Sequence, residues 1–148
     1  MFVEKTLHIE YFNPNEPITV PYYDNGIYAT FSGLFSDVVL ENIDLAKLLM
    51  PRPSSTFCVK VQGVSMINSR IQPNDRILID KSLPYVVGKK IAYFLKDYDG
   101  WTVKELGMRQ GDYYLLPAND EFEPYKIKPY DLPWGMVTWI LHSEYFKK

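Results

Sequence analysis

Ser65, in Gly63-Val64-Ser65-Met66-Ile67, is the residue that elimination leaves for nucleophilic chemistry, and Lys104, in Trp101-Thr102-Val103-Lys104-Glu105-Leu106, is a candidate for its base. The chain has 2 His and 1 Cys, so an internal disulfide is excluded and neither a Cys₄ nor a Cys₂His₂ zinc site can be assembled. No metal or cofactor is expected. A Ser-His-Asp triad would need His8, in a probable N-terminal arm, or His142, on the last expected strand. Cys58 lies in the apolar run Phe57-Cys58-Val59 and is expected to be a buried, inert thiol, compatible with a reducing cytosol. Gly107-Met108-Arg109-Gln110-Gly111 lacks a P-loop lysine and a following helix, so it is expected to connect two strands. Asp120-Glu121-Phe122-Glu123 is expected to be a solvated loop rather than a cation site.

A serine hydroxyl needs a base, and without histidine the choices are a lysine or a carboxylate. Strand alternation puts Thr102, Lys104 and Leu106 on one face and Trp101, Val103 and Glu105 on the other. Lys104 is then either a snorkelling surface residue or a desolvated amine. At an ordinary pKa of about 10.4, only about one lysine in a few thousand is neutral at pH 7. Burial lowers a lysine pKa by roughly 3–5 units, at a cost of about 4–7 kcal/mol. A fold tolerates that only with compensation elsewhere.

The elements that must position these residues are mainly β. Expected strands are Thr56–Gln62, Arg76–Asp80, Lys90–Leu95, Trp101–Leu106, Tyr113–Leu116, Tyr125–Lys128 and Gly135–His142, rich in Val, Ile, Tyr, Phe and Trp and separated by turn residues. Asp97-Tyr98-Asp99-Gly100 is expected to close a hairpin. These short strands, spaced regularly, predict a compact, largely antiparallel β domain. Residues 1–40 differ, with Pro14, Pro17, Pro21 and the turn Asp24-Asn25-Gly26 punctuating extended pieces such as Ile18-Thr19-Val20 and Gly26–Phe31. The chain therefore divides into an extended arm at 1–40 and a β domain at 41–148. A short helix is expected at 44–49, capped by Asp44 and stopped by Pro51, with another helical turn at 36–41.

Composition agrees with a folded domain: 148 residues, 47% hydrophobic and 16% aromatic. Net charge is −2, and neither half of the chain carries a cationic excess, so direct duplex DNA binding is disfavoured. Apolar runs fall far short of a membrane span and the first residues lack a signal-peptide pattern, which points to a cytoplasmic protein.

Several motifs in order resemble one known family. These are Ile43-Asp44-Leu45, Pro53 through Ile67, Ile71-Gln72-Pro73-Asn74-Asp75-Arg76-Ile77-Leu78-Ile79-Asp80, Thr102-Val103-Lys104-Glu105-Leu106, Leu116-Pro117-Ala118-Asn119, Tyr125-Lys126-Ile127 and Gly135 through Ile140. From about residue 20 onward they resemble the LexA/UmuD family of self-cleaving serine–lysine peptidases, and within it the UmuD-like branch, which has no helix-turn-helix domain. The resemblance implies Ser65 as nucleophile, Lys104 as general base and the backbone N–H groups of Val64 and Ser65 as oxyanion hole. It implies cleavage of the chain's own arm at Ala29–Thr30. It further implies a homodimer, promotion of cleavage by a RecA–single-stranded-DNA filament, and service to a UmuC-like translesion polymerase in the SOS response to DNA damage. A non-cleaving dimeric binding module of the same fold is the alternative. Thr30 stands where the family has Gly, and its β-branch stiffens the bond to be cut. Asn74 stands where the family often has Gly, a position Asn can fill in the left-handed conformation.

Overall fold

A computed structural model describes residues 9–10, 17–22, 41–62, 70–118 and 121–146. It is mainly β, as expected. An eight-stranded antiparallel sheet holds β1 (Ile9–Glu10), β4 (Thr56–Lys60), β5 (Arg76–Asp80), β6 (Lys90–Leu95), β7 (Gly100–Arg109), β8 (Asp112–Leu116), β9 (Tyr125–Lys126) and β10 (Leu132–Leu141), in the order β1-β4-β5-β10-β6-β7-β8-β9. β5 and β6 have the ends expected from their apolar runs. The turn between β6 and β7 is also as expected: a 3-10 turn at Lys96–Tyr98 followed by Asp99 in the left-handed region at φ 50°.

Three strands are longer than the sequence pattern indicates, β8 by a single residue at its start. β7 continues through Gly107, Met108 and Arg109, which pair with Tyr114, Tyr113 and Asp112. Only Gln110 and Gly111, at φ 52° and 83°, form the connection, the two positive-φ residues of a tight hairpin turn. β10 begins at Leu132 rather than Gly135, because Pro133 joins the ladder opposite Tyr93 despite lacking an N–H. Irregularities at 133/135 and 137/139 let β10 serve β6 with its first half and β5 with its second. Gly135 is required at this crossing, since a Cβ there would stand 2.9 Å from the Asp80 carbonyl oxygen.

Both faces of the sheet are apolar. Ile91, Leu95, Leu106, Leu115, Tyr125 and Met136 form one buried cluster, and Val59, Ile77, Ile79 and Ala92 another. Ile91 and Ala92 are consecutive, so the clusters take opposite faces. Each fully buried aliphatic side chain contributes about 1.5–3 kcal/mol. Part of the aromatic excess forms a stripe beside the second cluster: Phe57 against Trp134 at 5.5 Å, Trp134 against Trp101 at 4.4 Å, and Trp101 against Phe94 at 5.2 Å.

The chain falls into two compact units, a smaller one over residues 13–51 and a larger one that joins residues 1–12 to everything from Arg52 onward. In the smaller unit β2 (Thr19–Tyr22) pairs with β3 (Glu41–Asp44), and α1 (Leu45–Leu49) follows directly. Asp44 caps α1 by accepting from the N–H groups of Ala46 and Lys47, as expected. Glu41, expected in a helical turn, lies instead in β3, held by its pairing with Tyr22; residues 36–40, the expected strand at Gly26–Phe31 and most of the expected arm lie outside the described residues. No helix among the described residues is long and apolar enough to cross a membrane.

Candidate active site

Lys104 is placed by β7. Alternation holds along this strand: Thr102, Lys104 and Leu106 are buried, while Trp101, Val103 and Glu105 are partly exposed. Lys104 is only 1% exposed, which resolves the choice left by the sequence in favour of a desolvated amine. Its Nζ donates to Thr102 Oγ1 at 2.7 Å and to the Val103 carbonyl at 3.1 Å. Thr102 was visible as a face neighbour of Lys104 but not as its acceptor, which depends on the side-chain reach along the strand. Laterally, Lys104 pairs with Ile91, Ile91 with Met136, Met136 with Asp80 and Asp80 with Thr56. One cross-strand row thus runs from Lys104 over apolar neighbours to a buried carboxylate.

Asp80, at the far side of that row, is a polar anchor that the sequence pattern did not single out. Its Oδ1 accepts from Ser55 Oγ at 2.9 Å, Ser82 Oγ at 2.7 Å and the Ser82 N–H at 2.8 Å. Its Oδ2 accepts from Arg52 Nε at 3.2 Å. Burial alone would raise its pKa, but hydrogen bonds from Ser82, Ser55 and Arg52 outweigh that and hold it below the ordinary 3.8.

Ser65 and Val64 lie outside the described residues, as do Ala29 and Thr30. The backbone on either side of the Ser65 segment is described. Val61 N–H donates to the Asp75 carbonyl at 2.7 Å, and Asn74 N–H donates to the Val61 carbonyl at 2.9 Å. Asn74 has φ 73°, the left-handed conformation expected there. Asp75 is buried and accepts the Gln72 N–H at 2.9 Å.

The discarded chemistries can be located too. His142 falls just past the end of β10 and pairs with Asp75, its Nδ1 2.7 Å from Oδ1. Cys58 lies in β4 outside any disulfide and is partly rather than fully buried, beside a β1 of only two residues. Glu121 and Glu123 are exposed, and no cluster of three or more His, Cys, Asp or Glu among the described residues is arranged to hold a metal ion.

Comparison with known proteins places this geometry in a family. Residues 21–140 match the model of the Peptidase S24-like family. The chain is 29% identical to Protein MucA of Salmonella typhimurium over 123 residues, 81% of this chain and 82% of that protein. Protein SamA of Salmonella typhimurium is 29% identical over 132 residues, covering 86% of this chain and 90% of SamA. The LexA repressor of an Arthrobacter species is 30% identical over 99 residues, 67% of this chain but 39% of the repressor.

Proposed function

The chain belongs to the Peptidase S24-like family, and from that premise we propose a UmuD-like self-cleaving peptidase that cuts its own Ala29–Thr30 bond with Ser65 and Lys104. The observation that carries this reading is the burial of Lys104 with its Nζ fixed by Thr102 and the Val103 carbonyl. Burial disfavours an ammonium, and a neutral amine is the form that accepts a proton.

Neutral Lys104 takes the proton of Ser65 Oγ as that oxygen attacks the Ala29 carbonyl carbon. The backbone N–H groups of Val64 and Ser65 stabilise the oxyanion. Collapse breaks the Ala29–Thr30 C–N bond, and the Lys104 ammonium returns its proton to the Thr30 amine. Water then hydrolyses the Ser65 ester, with Lys104 again as base, leaving residues 1–29 and 30–148. A substrate tethered to the enzyme needs no affinity of its own, so positioning of the arm sets the rate.

The trimmed chain acts as a homodimer, and the outer edge of β10 supports that part. Among the described residues Trp139–Leu141 pair only with β5, which leaves the other side of this segment without a ladder partner beside the exposed Trp139. Cleavage is promoted by a RecA–single-stranded-DNA filament, and the product serves a UmuC-like polymerase in the SOS response. Intact mass spectrometry with and without that filament tests the cut: loss of residues 1–29 in wild type but not in Ser65→Ala is expected, and an intact wild-type chain under every condition overturns it.

Thr30 favours a second reading, a dimeric binding module of the same fold that is no longer cut. Thr30→Gly separates the two. Faster cleavage than wild type fits a slow peptidase, whereas cleavage appearing only in the variant fits the binding module.

A further inference from the structure

His142 and Asp75 continue the β5–β10 ladder one step beyond its last strand pair, Leu141 with Arg76. Asp75 is 2% exposed and has both carboxylate oxygens committed, one to the Gln72 N–H and one to His142 Nδ1. Its own carbonyl accepts the Val61 N–H, and the neighbouring Asn74 N–H donates back to Val61. Val61 and Asp75 therefore close the chain on either side of residues 62–74, the stretch of sequence that contains Ser65. A cavity of about 420 Å³ opens beside this closure, lined by Gln72, Asp75, His142, Glu144 and Phe146 among others. Solvent reaches the ring of His142 while the carboxylate it holds is buried.

We propose that His142 is a positioning residue which, acting through Asp75, makes the Val61–Asp75 closure proton-sensitive. The charged groups facing the ring are Asp75, from the turn before β5, and Glu144, from the segment after β10, whose Oε2 lies 3.7 Å from Nε2. Both favour imidazolium. The hydrogen bond to Asp75 is the largest influence and lifts the His142 pKa above its ordinary 6.5, against desolvation, the next largest influence, which acts to lower it. Because the folded value is the higher one, the ring's contribution is fully present below about pH 6.5 and is lost as pH rises through the folded value. A neutral ring protonated on Nδ1 still donates to Asp75, so the bond changes from charge-assisted to ordinary rather than vanishing. The turn at 72–75 is then held more firmly at low pH than at high pH. The link to catalysis, though not the closure itself, rests on the reading of Ser65 as nucleophile.

Amide hydrogen exchange at Val61, Gln72 and Asn74 in the uncut Ser65→Ala chain tests this, with His142 titrated in parallel by ring NMR signals. After correction for the intrinsic pH dependence, protection is expected to fall by about threefold or more through the His142 titration, and the His142→Gln variant is expected to lack that step. No step in the Ser65→Ala chain, or a step of equal size in the variant that also carries His142→Gln, overturns the proposal. In otherwise wild-type protein, His142→Gln is expected to slow self-cleavage more at about pH 5.5 than at about pH 8.5. An equal effect at both pH values overturns the link to catalysis. If neither chain cleaves, the Ser65–Lys104 reading has failed and the exchange step alone decides the closure.

Discussion

Thr102 Oγ1 accepts a hydrogen bond from Lys104 Nζ at 2.7 Å, between two buried side chains that share one face of β7. The hydroxyl fixes where the amine stands. Thr102→Val keeps the shape of the side chain but removes the acceptor, which leaves an N–H of Lys104 without that partner at a cost of about 1–3 kcal/mol. Self-cleavage is expected to slow by roughly tenfold or more, and Thr102→Ser to restore most of the rate. Time courses of product formation check both.

Asp80 gives a stability prediction with a defined sign. Its folded pKa lies below the ordinary 3.8, so its contribution is present above about pH 3.8 and is lost as pH falls through the folded value. Asp80→Asn weakens the bonds from Ser82, Ser55 and Arg52 and is expected to cost about 1–3 kcal/mol near neutral pH. The difference from wild type should shrink at the acid end. Urea unfolding at several pH values reads this directly.

The first half of β10 is covered on one side by β6, whereas Thr138–Leu141 are not. Trp139 is 40% exposed on that segment. Trp139→Lys places like charges together if two copies meet across this edge, and a dimer through it is expected to weaken by at least tenfold. Sedimentation equilibrium measures the change; an unaltered dimer would move the interface elsewhere.

Much of this molecule was legible from local pattern. The apolar runs Arg76–Asp80 and Lys90–Leu95 set both ends of β5 and β6, and Asp44 announced the cap of α1. The left-handed φ of Asn74 was legible through the resemblance, since the family often has Gly there and Asn tolerates the same conformation. What stayed hidden depends on sheet order. β10 enters between β5 and β6, and that placement alone brings His142 to Asp75 across 67 residues of sequence. Pro133 concealed the start of β10 because a proline within a run ordinarily argues against a strand. Lys104 was legible as a candidate through its alternation with Thr102 and Leu106, but its burial required the cross-strand neighbour Ile91, which no local window contains.

The central claim is that Lys104 is the base, and Lys104→Arg tests it most directly. Arginine is a long basic side chain of comparable reach but stays protonated at any accessible pH, so it cannot accept the Ser65 proton. Intact mass is followed at about pH 7 and at about pH 10. Wild type is expected to lose residues 1–29, while Lys104→Arg remains whole throughout. Cleavage of Ala29–Thr30 in Lys104→Arg at the wild-type rate would contradict the account.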